Sequence, residues 1–151
     1  MKMLLYIALL LLICFLPVQG TDVGELIPVE VVAISESGGV TTVLTDTGNQ
    51  GQGRTLEEAF ADLEHTASGV IYLDTAEFVL IQPGGEVWLE ILPCYLKADT
   101  RICAADTQIA LEGIADYLSV HHPGVRLDEA TEVGVLPVLT GENGRYWIVS
   151  N

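Results

Sequence analysis

Apolar and polar positions recur along this chain with two different periods, and the changes of period predict its elements. Between Glu25 and Ser35, Ile27, Val29, Val31, Val32, Ala33 and Ile34 form a β-branched run that reads as one strand, little exposed on either face. Ser35-Glu36-Ser37-Gly38-Gly39 turns the chain, and Val40 to Thr45 is a second such run, so an antiparallel hairpin is expected. The period then lengthens. Leu56, Ala59, Phe60, Leu63 and Ala67 make one helical stripe, with Glu57, Asp62 and Glu64 on the other side. Thr55 is the expected N-cap, with Glu58 three residues on completing a reciprocal capping box. Ser68-Gly69 should end the helix through a left-handed glycine.

Val70 to Leu73 and Phe78 to Ile81 are apolar runs broken by Asp74-Thr75-Ala76-Glu77, a kink, a bulge or a short helical turn. After the turn at Gln82-Pro83-Gly84-Gly85, Trp88, Ile91, Leu92, Tyr95 and Leu96 fit a helix face. Val87, Leu89 and Ile91 alternate like a strand, and Pro93 removes a helical hydrogen bond; a short, kinked helix is the reading adopted. Arg101 to Ala105 reads as a short strand. Asp106 or Thr107 should cap a helix with the stripe Leu111, Ile114, Ala115 and Leu118, ended by His121-His122-Pro123-Gly124. Val133 to Leu139, a turn at Thr140 to Gly144, and Tyr146 to Val149 predict a closing hairpin.

The resulting order, ββαβαβαββ, predicts an α/β or α+β domain, a mixed sheet with helices packed on it. Its core should contain Val29, Val31, Val43, Leu56, Phe60, Leu63, Val79, Ile81, Ile91, Ile102, Leu111, Ile114 and Leu118.

The first twenty residues change the compartment. Lys2, the apolar run Leu4 to Leu16 and the small-residue site Val18-Gln19-Gly20 read as a secretory signal at 1–20, with the mature chain beginning at Thr21. The run is short for a bilayer span, so membrane contact is expected only if the segment is retained. Cys14 lacks the neighbours of a lipidated cysteine. Residues 21–151, about 130 in all, suit one small domain. The expected location is secreted or in the extracytoplasmic envelope.

Acidic residues number 21 against 6 basic ones, a formal net charge of −15. Such a field repels nucleic-acid phosphates and anionic lipid, so no nucleic-acid partner is expected; solubility, or attraction to a basic partner, is. Export permits a disulfide between Cys94 and Cys103, and two buried thiols are the other reading.

Candidate chemistry is sparse. Val43-Leu44-Thr45-Asp46-Thr47-Gly48 resembles the Asp-Thr-Gly motif of aspartic proteases, whose chemistry needs two carboxylates sharing a proton and hence, here, a homodimer. Asp74-Thr75-Ala76 lacks the glycine of a second half. The alternative function is therefore a secreted dimeric aspartic-type hydrolase using Asp46, against Asp46 as a polar strand end. Gly48, Gly51 and Gly53 precede a helix N-terminus, where amides attract anions and Arg54 could assist. Their spacing is neither a P-loop nor GxGxxG, so a flexible connection is expected. His65, His121 and His122 form no metal-ligand spacing. Trp88, Trp147 and Tyr146 read as core aromatics. No catalytic, cofactor-binding or metal-binding residue is assigned.

The stretch Gly53 to Leu63, followed by Val70 to Leu73 and Phe78 to Ile81, resembles the N-terminal domain of the Ger(x)C family, the C-subunit lipoproteins of bacterial spore germinant receptors. The shared pattern is a strand pair, a G-x-T-x-x-E-A-x-x-x-L helix and an apolar strand. Leu96-Lys97-Ala98-Asp99-Thr100-Arg101-Ile102 is similar to that family's Arg-Asp-x-Glu-x-Arg stretch, one residue shorter. Val18-Gln19-Gly20-Thr21 stands where the family has its lipobox cysteine. The resemblance implies an exported, free-standing relative from a spore-forming or related Gram-positive bacterium, a non-catalytic protein-interaction domain linked to germination or the spore envelope. Its partner would be an envelope or germination protein, met through acidic helix faces containing Glu57, Asp62 and Glu64, or Glu112 and Asp116. An envelope-tethered structural protein is a further alternative.

Overall fold

The computed structural model describes residues 23–82, 84–105, 111, 113–133, 136–142 and 145–149. The signal-peptide reading, the caps Asp106 and Thr107, and Glu112 lie outside the described residues.

The β-branched start of the chain makes two strands rather than one: β1 (Leu26–Pro28) and β2 (Val31–Ser37). Gly38 and Gly39 follow at φ 60° and 77°, the paired left-handed positions that a two-residue hairpin turn requires, and lead into antiparallel β3 (Val40–Thr45). The stretch expected to be a flexible connection is instead partly strand, β4 (Gln50–Gly53), antiparallel to β3. Next come α1 (Leu56–Thr66), β5 (Val70–Tyr72), a 3-10 turn at Leu73–Thr75 and β6 (Phe78–Ile81). The region from Trp88 to Leu96 forms 3-10 segments Gly85–Glu90 and Leu92–Cys94, not one kinked helix; Pro93 has no N–H with which to continue the ladder. The chain ends in β7 (Arg101–Ala105), α2 (Ile114–His121), β8 (Val125–Arg126), α3 (Leu127–Val133), β9 (Val138–Glu142) and β10 (Arg145–Val149).

The main sheet has the order β10-β9-β7-β6-β2-β3-β4, with β8 paired beside the start of β7. β2, β6, β7 and β9 run parallel, while β3, β4 and β10 are antiparallel to their neighbours. This is the expected α/β class, a mixed sheet carrying helices. The expected order of elements lacked β4, β8 and α3 and the division of the first strand, whereas the break before Phe78 holds the short helical turn that is one of its expected forms. α3 is hard to read in the sequence because its acidic first turn, Asp128 and Glu129, sits between the buried Leu127 and Ala130, too short an apolar pattern to set a helical period.

Side chains alternate across the sheet and so build two apolar layers. Val32, Ile34, Val43, Val79, Ile81 and Ile102 meet Leu56, Phe60 and Leu63 of α1, Trp88 and Leu92, and Leu127 of α3. Val31, Phe78, Leu80 and Cys103 meet Leu111, Ile114 and Leu118 on the opposite face. Every expected core residue is buried except Ile91, which lies at the break between the 3-10 segments and only partly packs. Gly69 is not a left-handed cap: α1 ends at Ala67 in an extended conformation, and Gly69 instead lies against the carbonyl oxygen of Glu25.

β1 continues into β2 as β5 continues into β6, and each chain breaks at the same level. β1 pairs in parallel with β5, and β2 with β6, so the two broken strands run side by side. Thr75 staples the breaks together: its hydroxyl accepts the Val29 N–H at 3.0 Å and lies 3.0 Å from the Val29 carbonyl and 2.8 Å from that of Tyr72. The Glu30 carbonyl accepts the N–H groups of both Glu77 and Phe78, closing the joint.

Candidate functional site

A cleft of about 540 Å³ opens where these two strands break, at the N-terminal ends of β2, β6 and β7. Its base is fully committed. The buried Thr100 hydroxyl donates to the Ala76 carbonyl at 2.9 Å, and the Arg101 N–H donates to the Glu77 carbonyl at 2.8 Å. Arg101 Nη1 donates to the carbonyls of His122 and Gly124, at 3.2 and 3.0 Å, and so ties the end of α2 to the start of β7. His122 is the C-cap of α2, at φ 44°, an uncommon conformation for a residue with a Cβ but one that histidine adopts. Its ring is 6.3 Å from that of Phe78, roughly stacked.

The lip is charged. Glu30, Asp74 and Glu77 come from the two strand breaks, and Lys97 and Asp99 from the approach to β7. Among the described residues the one ion pair is Arg126 with Asp128, at 2.8 Å on the surface, so none of these lip charges is paired. None of them was marked out in the sequence as a site. The available signal was modest: Lys97 and Arg101 are two of only six basic residues, four apart, in a strongly acidic chain.

Asp46 does not line the cleft; it sits behind Glu30, in the tight turn joining β3 to β4. Its carboxylate accepts the Glu30 N–H at 3.3 and 3.4 Å, and its own N–H donates to the Val31 carbonyl. No hydrogen bond joins it to another carboxylate among the described residues. Thr45, Thr47 and Asn49 bond to one another around the turn, and Gly48 supplies its left-handed residue at φ 82°.

The N-terminus of α1 is occupied by the chain's own groups. Thr55 Oγ1 accepts the Glu58 N–H at 3.3 Å. The Glu58 carboxylate accepts the Arg54 N–H at 2.8 Å, one residue before the expected partner of a capping box. The Glu57 carboxyl is held below its ordinary range by its own backbone N–H and then by the Thr55 hydroxyl.

Gly51 and Gly53 allow contact between backbones rather than flexibility. A Cβ on Gly51 would collide with the backbone of Ala59 and Leu63, and one on Gly53 with Glu58 and Ala59, so α1 lies directly on β4.

The histidines stay apart, with His121 against Tyr117 at 4.3 Å and His65 exposed on α1. No three His, Cys, Asp or Glu groups converge as a metal set among the described residues. Cys94 and Cys103 are both free, Cys94 exposed and Cys103 buried, which fits neither a disulfide nor two buried thiols. Trp88 is core and Tyr146 packs near Tyr117, but Trp147 is 42 % exposed, contrary to its expected burial.

The two ends of the sheet differ. Along β4, Asp62 accepts the Gln52 N–H at 2.8 Å and Thr66 Oγ1 lies 3.1 Å from the Gln50 carbonyl, so α1 seals the edge. β10 ends the other side of the sheet, and no strand pairs beyond it among the described residues. Trp147, Ile148 and Val149 are all about two-fifths exposed there. The register puts Trp147 and Val149 on the α3 side and Ile148 on the α2 side.

These features define an α/β domain with a mixed sheet, one edge covered by α1 and the other, among the described residues, ending at β10. In comparisons with protein-family models, characterised proteins and solved structures, nothing matches the chain.

Proposed function

We propose that the chain is an exported, non-catalytic protein-interaction domain that receives an extended, basic segment of a partner protein along β10. One observation carries this reading: the sheet's two edges are treated differently, β4 covered by α1 and β10, among the described residues, left as an apolar rim. Exposed edge strands recruit further strands, and proteins commonly block those they do not use. The net charge of −15 favours a basic occupant and opposes pairing with a second copy. The resemblance to germinant-receptor C subunits suggests an envelope or germination protein as its source.

The test is capture from envelope extracts of sporulating and vegetative cells, comparing the wild type with Ile148→Lys. A partner held by the wild type should be lost from the variant, and its binding should weaken as salt rises. Trp147 emission should shift to the blue when that partner is added. Equal retention by Ile148→Lys, with both proteins folded, would remove β10 from the interaction.

A further inference from the structure

We infer that the cleft at the broken ends of β2, β6 and β7 binds a small basic zwitterion, an organic molecule carrying ammonium groups and one carboxylate, as a dibasic amino acid does. The cleft is distinct from the β10 edge and the inference is independent of the interaction reading. It rests on charges of both signs that line one concavity without neutralising each other. Glu30, Asp74 and Glu77 stand at the strand breaks, and Lys97 and Arg101 at the approach to β7. None forms an ion pair within the described residues.

The arrangement is built rather than accidental in two respects. Its floor is held by Thr75 bridging the two breaks and by the buried Thr100 hydroxyl, so the lip charges stand on a fixed frame. Arg101 spends only Nη1 on the carbonyls of His122 and Gly124, leaving Nε and Nη2 as donors in a side chain whose position is already fixed. A carboxylate can take those donors together with the Lys97 ammonium, while ligand ammonium groups meet Glu30, Asp74 and Glu77. Asp99 also lines the cleft, so four acidic side chains stand there against the two basic ones, Lys97 and Arg101. A ligand with net positive charge therefore fits better than a neutral zwitterion, and a simple anion fits worst.

The experiment is an amide-resolved NMR titration of the full-length chain with L-lysine, cadaverine and glutarate, each to about 10 mM, above the millimolar range that a few charge-assisted contacts sustain. Lysine should shift the amides of Phe78, Thr100 and His122. Cadaverine, which lacks the carboxylate, should bind about tenfold more weakly, and glutarate should cause no shift there. Lys97→Gln should lower lysine affinity about tenfold and should not weaken cadaverine, which loses a like charge there, whereas Glu77→Gln should weaken both. Asp74→Asn serves as a second acidic variant, and unchanged amide shifts away from the cleft establish that each variant is folded. No lysine-dependent shift at the cleft overturns the inference. So does equal binding of lysine and cadaverine, or lysine binding that ignores Lys97→Gln.

Discussion

The carboxylate of Asp62, in the middle of α1, accepts the amide N–H of Gln52 in the edge strand β4 at 2.8 Å. Glu58, Asp62 and Thr66 follow one another at intervals of four, so a single ridge of the helix lies along β4 and the residue after it, accepting the Gln52 and Arg54 N–H groups and donating to the Gln50 carbonyl. Asp62 is thus part of the fold, although its place opposite the apolar stripe marks it as a solvated acid. Asp62→Ala should lower stability by about 1 kcal/mol in urea denaturation, because a charge-assisted bond at a half-exposed site is lost. It should also raise self-association in sedimentation experiments by uncovering the edge. Asp62→Asn keeps an acceptor and should show no such rise.

Gly51 determines how closely α1 approaches the sheet. A methyl group there would strike the backbone of Ala59 and Leu63, which cannot turn aside as a side chain can. Gly51→Ala should cost about 1 to 3 kcal/mol by chemical denaturation, the usual range for overpacking. A change near zero would mean that the helix does not rest on the strand.

Leu63 and Phe60 face the sheet beneath that contact, at 0 % and 1 % exposure. Phe60 also stacks on Tyr95, with centroids 4.2 Å apart and planes within 13°. Leu63→Ala or Phe60→Ala should each cost about 2 to 5 kcal/mol through the cavity left behind. A cost below about 0.5 kcal/mol, typical of surface positions, would contradict the packing.

Cys94 and Cys103 should behave oppositely toward a thiol reagent. Burial pushes the Cys103 thiol up from 9.0 to about 12, whereas Cys94 is exposed. In a Cys14→Ser chain at neutral pH, one thiol should react quickly and the second only on unfolding. Because the folded state holds the Cys103 proton more tightly, its contribution to stability is complete below about pH 9 and declines as pH rises toward 12. Cys103→Ala should flatten that alkaline decline.

At the start of α1, Thr55→Ala should cost about 1 kcal/mol through the lost N-cap. It should also raise the Glu57 carboxyl toward its ordinary value of 4.5, since the Thr55 hydroxyl helps to lower it. With a depressed pKa, Glu57 supports the fold above its unfolded value, and that support disappears as pH falls through the folded pKa. NMR titration of the Glu57 side chain measures both effects. An unchanged Glu57 titration in the variant would show that Thr55 does not hold the carboxylate.

What the sequence by itself determined was the local periodicity: the Thr55 cap, the stripe of α1, the runs in β2, β3, β6 and β7, and nearly the whole core. These are legible because burial on one side of a helix or strand imposes a pattern on neighbouring residues. Only the tertiary structure decided what β4, β10, Gly51, Asp62 and the cleft do. Gln50 to Gly53 reads as loop because its glycines are defined by a helix that folds back over them, and Trp147 reads as core because an apolar run does not reveal whether another layer covers it. Glu30, Asp74 and the pair Lys97 and Arg101 are separated from one another by long stretches of chain. They share a cleft only because β1 with β2 and β5 with β6 break at the same level, where the Thr75 hydroxyl meets the backbone of Val29.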